Sequence, residues 1–349
     1  MVDSLPKQSA EPQSAPASRK RHGLRAAGLL LSVGILLLVC VASIATGAKS
    51  MPLSDVWHGL FHDSGAGNDV IVHDVRVPRT LLGLIVGAAL GLAGAVMQAL
   101  TRNPLAEPGL LGVNAGASAA VVSAISFFGV TSLTGYVWFA FLGAGVVSAL
   151  VYILGGSRGA TPVRLALAGT AVSAALYGYI NAVQLLDAAS LDRLRFWTVG
   201  SLASADMETI GKVAPFIGIG VVLALLLARP LNAMEMGDDT ARALGAHLHR
   251  TRILSMLAVT LLCGAATAAC GPIIFIGLMI PHLVRAITGP DMRWILPYAT
   301  VLSPVLLLGA DVVGRVVTRP AELQVGIVTA LIGGPVFIHL VRRKRMARL

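Results

Sequence analysis

Residues 76–118 read RVPRTLLGLIVGAALGLAGAVMQALTRNPLAEPGLLGVNAGAS. From Thr80 to Leu100 no residue is charged, and a helix over this run is about 31 Å long, enough to cross the hydrocarbon of a bilayer. Gly83, Gly87 and Gly91 recur every fourth residue, with Gly94 beside them. They form one helix face on which a neighbouring backbone can approach closely, so a tight helix–helix seam is predicted there. Asn103, Pro104, Pro108 and Gly109 then interrupt the backbone before Asn114 enters the next apolar run. Arg76 and Arg79 flank Pro78 immediately before the span. The stretch is a membrane helix, a broken connection and the start of a second helix.

The rest of the chain extends this pattern. Of 349 residues 56% are apolar and 13% charged, with a mean hydropathy of +0.79. A soluble domain carries about twice that charged fraction, and no polar outer faces are present to support a soluble helical protein. The net charge of +10 does not mark a nucleic-acid binder. Arg19, Lys20, Arg21 and Arg25 precede the first apolar run, and Arg342, Arg343, Lys344, Arg345 and Arg348 close the chain. Flanks of this kind orient a protein in a membrane. Cys40, Cys263 and Cys270 fall within or at the end of apolar segments, with no metal-site spacing, and read as small buried hydrophobes.

Residues 1–22, rich in Ser, Pro, Ala and Gln, are expected to form a disordered cytoplasmic tail. Residues 24–45 follow without charge except Arg25, too long for the roughly 7–15-residue core of a signal peptide. Further apolar runs lie at about 80–100, 110–129, 134–154, 164–186, 208–228, 253–270, 272–288, 295–317 and 324–341. The expected fold is therefore an all-α integral membrane protein, about ten transmembrane helices in one bundle over residues 23–345, ending in a short basic tail at 346–349. With ten spans, 19 of the 27 Lys and Arg residues share one side and 8 the other, which predicts cytoplasmic termini.

Motif searches mostly exclude chemistry. There is no G-x-x-x-x-G-K-[ST] phosphate loop and no H-E-x-x-H, and the G-x-S-x-G match at Gly155, Ser157 and Gly159 has neither a preceding strand nor a nearby His and acid. His58, His62 and His73 share one outer loop and admit a weak metal-site reading. In the longest inner loop, 230–252, Asp238 or Asp239 is placed to cap a short helix carrying Ala241, Leu244 and Leu248 on one face. Polar residues at membrane depth, Asn114, Asn181, Gln184 and His282, are candidates to line a path or to bond helices together. Asp311 can pair with Arg315 one turn on.

Stretch 76–118 resembles the FecCD/BtuC family of permeases, which import iron–siderophore complexes, haem and vitamin B12. LRFWTVGSL at 194–202, GDDTARALGAHLHRTR at 237–252, GPIIFIGLMIPHLVR at 271–285, Asp311 with Arg315, and the stretch 322–337 fit the same family in order. The resemblance implies a type II ABC importer permease fold without an ATPase site or cofactor of its own, in the bacterial inner membrane. ATP and Mg would sit on two partner ABC ATPase subunits. It further implies a substrate-binding protein, periplasmic or lipoprotein, and a second permease chain, identical or a paralogue. The coupling segment would include Gly237, Asp238, Asp239, Ala241, Leu244, Gly245, Leu248 and Arg252, with Gly245 turning between two short helices. Arg76, Arg79 and Arg315 would face glutamates of the binding protein, whose carboxylates the planar guanidinium grips bidentately. A ferric siderophore is the expected cargo; haem or vitamin B12, and more distantly an ATP-independent secondary transporter, are the alternatives.

Overall fold

A computed structural model describes residues 16–62, 67–130, 132–156, 162–187, 191, 194–195, 197–243 and 245–346. Among them the chain is helical throughout, with no strand. In chain order the helices are α1 (Pro16–Ala45), α2 (Leu53–Phe61), α3 (Asn68–Thr101), α4 (Val113–Phe128), α5 (Leu133–Leu154), α6 (Pro162–Leu186) and α7 (Met207–Leu226). They continue with α8 (Ala228–Glu235), α9 (Asp238–Ala243), α10 (Leu248–Cys270), α11 (Ile276–Thr288), α12 (Met292–Val317) and α13 (Val325–Met346). Seven are long and apolar enough to cross a membrane, and α4, α11 and α13 are shorter apolar helices. Each apolar run read from the sequence coincides with one of these ten.

Two boundaries differ from expectation. Helix α1 begins at Pro16, inside the 1–22 stretch expected to be disordered; residues 1–15 lie outside the described set. Proline is favoured in a first helical turn, and a helix already stabilised by the apolar run propagates outward at one hydrogen bond per residue. Helix α3 opens at Asn68, passes through a π-helical stretch at Ile71–Arg76 and runs for 34 residues, starting well before the apolar run itself.

α3 is the central post, packed by α7, α10, α11 and α12 and apolar nearly all round, as a fully enclosed helix must be. α4, α5 and α6 pack on one another beside it, while α1 lies on the periphery against α12. The predicted glycine seam exists. A Cβ added at Gly87 would lie 2.6 Å from the Pro304 Cα, and at Gly91 and Gly83 it would collide with Ser303 and Leu308 of α12. Gly94 meets Gly277 of α11 in the same way. Polar caps set several starts: Asp206 accepts the Thr209 N–H before α7 at 2.5 Å, and Asp291 accepts the Arg293 N–H before α12 at 3.0 Å.

Candidate functional site

Three regions carry chemistry: the end of the bundle bearing Arg76, the opposite end bearing Arg102, and the polar ground between.

At the Arg76 end the three arginines expected to face a protein partner are buried, each less than 5% exposed. The Arg79 guanidinium donates to both oxygens of Asp311, at 2.8 and 3.0 Å, and to Glu322 at 2.6 Å. Arg315 pairs with the other face of Asp311 at 3.0 Å, one turn on as the spacing predicted. It also donates to the carbonyls of Ser43 and Thr46 at 2.9 and 2.6 Å. Arg76 donates to the carbonyls of Ile44 and Ala45, both at 2.8 Å, and of Lys49 at 2.8 Å. The last turn of a helix leaves carbonyls without intrahelical partners and carries partial negative charge. Arg76 and Arg315 cap the end of α1, and Asp311 holds Arg79 and Arg315 together. These donors are spent inside the chain, whereas Arg76, Arg79 and Arg315 were expected to face glutamates of a binding protein. Arg319 and Arg195 are exposed at the same end, and Arg193 lies outside the described residues. His58 and His62 stack at 4.6 Å with Asp69 3.5 Å from His58; among the described residues no three metal-ligating side chains gather.

At the Arg102 end the segment 230–252 folds as two short helices followed by α10. Gly237, at φ +106°, turns α8 into α9, and Gly245, at φ +80°, turns α9 toward α10. The expected order is adjusted here, because Gly245 precedes a long helix and Gly237 is the joint between the two short ones. Asp238 and Asp239 occupy the first turn of α9, Ala241 is buried beneath it, and Leu248 is buried at the start of α10. Leu244 lies outside the described residues. Asp238 is gripped by Arg102 from α3 and, at 2.7 Å, by Arg252 from α10, which pins the short helix to two spans at once. Gly245 has open space around it.

A second tie joins α8 to the bundle interior. Arg285 of α11 donates to Glu235 of α8 at 3.2 Å and to the Gln98 side-chain oxygen at 2.8 Å. Gln98, 1% exposed, donates in turn to the carbonyls of Gly277 and Leu278 at 3.2 and 3.1 Å, the first turn of α11. Burial raises the Glu235 carboxyl above its ordinary range, with Arg285 opposing the shift. Burial alone would raise Asp291 too, but hydrogen bonds from Arg293 and Asn232 bring it down to about 2.

The start of α11 departs from ordinary helical backbone. Phe275 has φ +72°, a left-handed conformation that costs a bulky residue energy. Its N–H donates to the Glu107 carboxylate at 3.2 Å, so the broken connection after α3 returns into the bundle to meet the break before α11. Beside it Asn114 accepts from Thr267 at 3.0 Å. Asn114 and Tyr177 line two neighbouring cavities of about 360 and 510 Å³; the first runs along α6, where Thr170, Ala174 and Tyr177 are exposed, and the second lies between Tyr177, the 272–274 stretch and α13. Of the predicted path residues, Asn114 lines both cavities; Asn181 is exposed on α6 and Gln184 is half-buried there. His282 of α11 is not among the lining residues. Glu107, Gln98 and Thr267 escaped the sequence reading. Glu107 carried one usable signal, a carboxylate between Pro104 and Pro108 in the broken connection that links two apolar helices.

The profile of the FecCD transport family matches residues 35–343. The ferric enterobactin transport system permease protein FepD of Escherichia coli (strain K12) is 49% identical over 316 residues, covering 89% of this chain and 94% of that one. The hemin transport system permease protein HmuU of Yersinia pestis is 36% identical, covering 92% and 97%. A metal-chelate type ABC transporter solved in an inward-facing conformation superposes with a TM-score of 0.80 at 29% identity, covering 91% of this chain and 99% of its own.

Proposed function

This chain belongs to the FecCD transport family and is an ABC importer permease; we propose that its cargo is a ferric siderophore of the catecholate, enterobactin-like class. The observation that carries the reading is the relation to the ferric enterobactin permease at 49% identity over most of both chains. The geometry supports a half-site. The two cavities share Asn114 and the exposed Tyr177 of α6, between α6 and α13, and await closure by a second permease chain, identical or a paralogue, with the path between them.

In this reading the Arg102 end and both termini face the cytoplasm, in the bacterial inner membrane. The segment with Gly237, Asp238, Asp239, Ala241, Gly245, Leu248 and Arg252 seats on an ABC ATPase, one on each of two permease chains. This chain holds no nucleotide; ATP and Mg belong to the partner, which supplies the energy. Closure of the two ATPases pushes on α8 and α9. The Asp238 clamp passes the push to α3 and α10, and the Glu235–Arg285–Gln98 tie passes it to the first turn of α11 beside Phe275 and Glu107. That break is where the cavity changes its opening, because an interrupted helix moves at lower cost than a continuous one. A loaded binding protein docks at the Arg76 end.

The test is uptake of radioiron-labelled siderophores by cells lacking this chain, restored with wild type or with Gly245→Trp. Loss on deletion, rescue by wild type and failure of a membrane-inserted Gly245→Trp support an ATP-coupled siderophore permease. Lost hemin, citrate or cobalamin uptake with unchanged catecholate uptake keeps the importer and overturns the cargo.

A further inference from the structure

At the Arg102 end, a groove of about 610 Å³ lies between the end of α7, α8 and the start of α10. Its floor is apolar and comes from membrane-spanning helices: Leu223 and Leu226 of α7 and Leu254 of α10. Its rim carries Arg229, Arg250 and His247. Both arginines are exposed, and among the described residues neither makes a hydrogen bond or ion pair. Their neighbours at this end differ: Arg102, Arg242, Arg252, Arg285 and Arg293 each pair with a carboxylate of the chain. Two uncompensated guanidiniums thus stand at the mouth of a groove whose walls descend into the span.

We propose that this groove binds an anionic phospholipid, its phosphate held by Arg229 and Arg250 and one acyl chain laid along Leu223, Leu226 and Leu254. A guanidinium binds phosphate oxygens through paired N–H groups, and basic pockets between membrane helices are recurrent headgroup sites. An acyl chain fits the floor because Leu226, the last residue of the α7 span, is 70% exposed just beneath the Arg229 rim. An acidic protein segment would match the rim but not the floor, since a soluble partner does not reach between α7 and α10 below the headgroups. The inference needs only that the chain spans a membrane. It adds to the transport reading a lipid bridging α8, which carries Glu235, to α10, which carries Arg252, across the open side of Gly245.

The experiment is native mass spectrometry of the purified chain, with its co-purifying subunits, exchanged into phosphatidylglycerol or phosphatidylcholine of matched chains. Phosphatidylglycerol is expected to be retained with a preference on the order of tenfold or more, two basic contacts at the surface being enough for that. Arg229→Gln with Arg250→Gln should abolish the preference, whereas Arg242→Gln, whose partner is Asp239, should leave it. Leu254→Trp fills the floor and should lower retention with the rim intact. Equal retention of the two lipids, or a preference that survives the double substitution, overturns the proposal. Competition by inorganic phosphate as effective as by lipid reduces the site to a simple anion contact and overturns it too. So does loss of the co-purifying ATPase in the double variant with no lipid preference in the wild type, which assigns the groove to protein.

Discussion

The two ends of the bundle use the same residue type in opposite ways. At the Arg76 end, Arg76, Arg79 and Arg315 are buried and their donors are spent on Asp311, Glu322 and the last carbonyls of α1. At the Arg102 end, arginines either clamp a short surface helix or stand unpaired at the rim of a groove. Arginine near a membrane boundary therefore serves as internal fastener at one end and as contact surface at the other. The difference lies in where carboxylates and frayed helix ends sit, not in the arginines.

The comparison breaks most readily at Asp311. Asp311→Asn leaves Arg79 and Arg315 buried without their shared carboxylate, and removing one partner of a buried pair costs about 3–5 kcal/mol. Thermal unfolding of the purified protein in detergent should show a large fall, while Arg229→Gln at the other end should stay within about 0.5 kcal/mol. An Asp311→Asn variant as stable as wild type would mean the fastener is not one. Next comes the seam that carries both ends: Gly87→Leu forces side-chain atoms against Pro304 and should destabilise by about 1–3 kcal/mol, read in the same melt. Arg285→Gln cuts the tie between Glu235 and Gln98 with less effect on folding. Transport per ATP hydrolysed in proteoliposomes should drop about tenfold, a coupling of roughly 1.4 kcal/mol, while ATP hydrolysis continues. Unchanged stoichiometry would limit Arg285 to packing. Smallest is the acid response of Asp291. A carboxyl depressed in the folded state stabilises above its unfolded pKa, near 3.9, and loses that contribution as pH falls toward about 2. Asp291→Asn should therefore flatten the stability curve between those values, with its modest destabilisation fully present at neutral pH and vanishing below about pH 2.

The helices were legible because lipid enforces a long uncharged run for every crossing, a one-dimensional signal. The glycine face of α3 was legible for the same reason: its spacing is local. Asp311 with Arg315, four residues apart, was readable on one helix. Asp311 with Arg79 was not, since 232 residues separate them, and burial of the arginines follows from that distant partner. Gln98 reads as one more polar residue near a helix end until the fold brings Arg285 and the Gly277 carbonyl to it. A turn at Gly245 was expected between two short helices, but which elements Gly245 and Gly237 join depends on α9 ending at Ala243, a boundary set by tertiary packing.

The glycine contacts also fix where this machine can bend. α3 touches α12 and α11 backbone to backbone through Gly87, Gly91 and Gly94, and α4 touches α5 the same way through Gly116 and Gly143. A side chain can change rotamer and let its neighbour slide, but two main chains in contact have no such compliance. Each set is therefore a welded strut, and the play in the frame is confined to joints filled by side chains, chiefly around α10, which packs on both struts. A bulky residue at Gly264, where α10 faces Ala144 and Phe141, would stiffen that bearing without touching either weld.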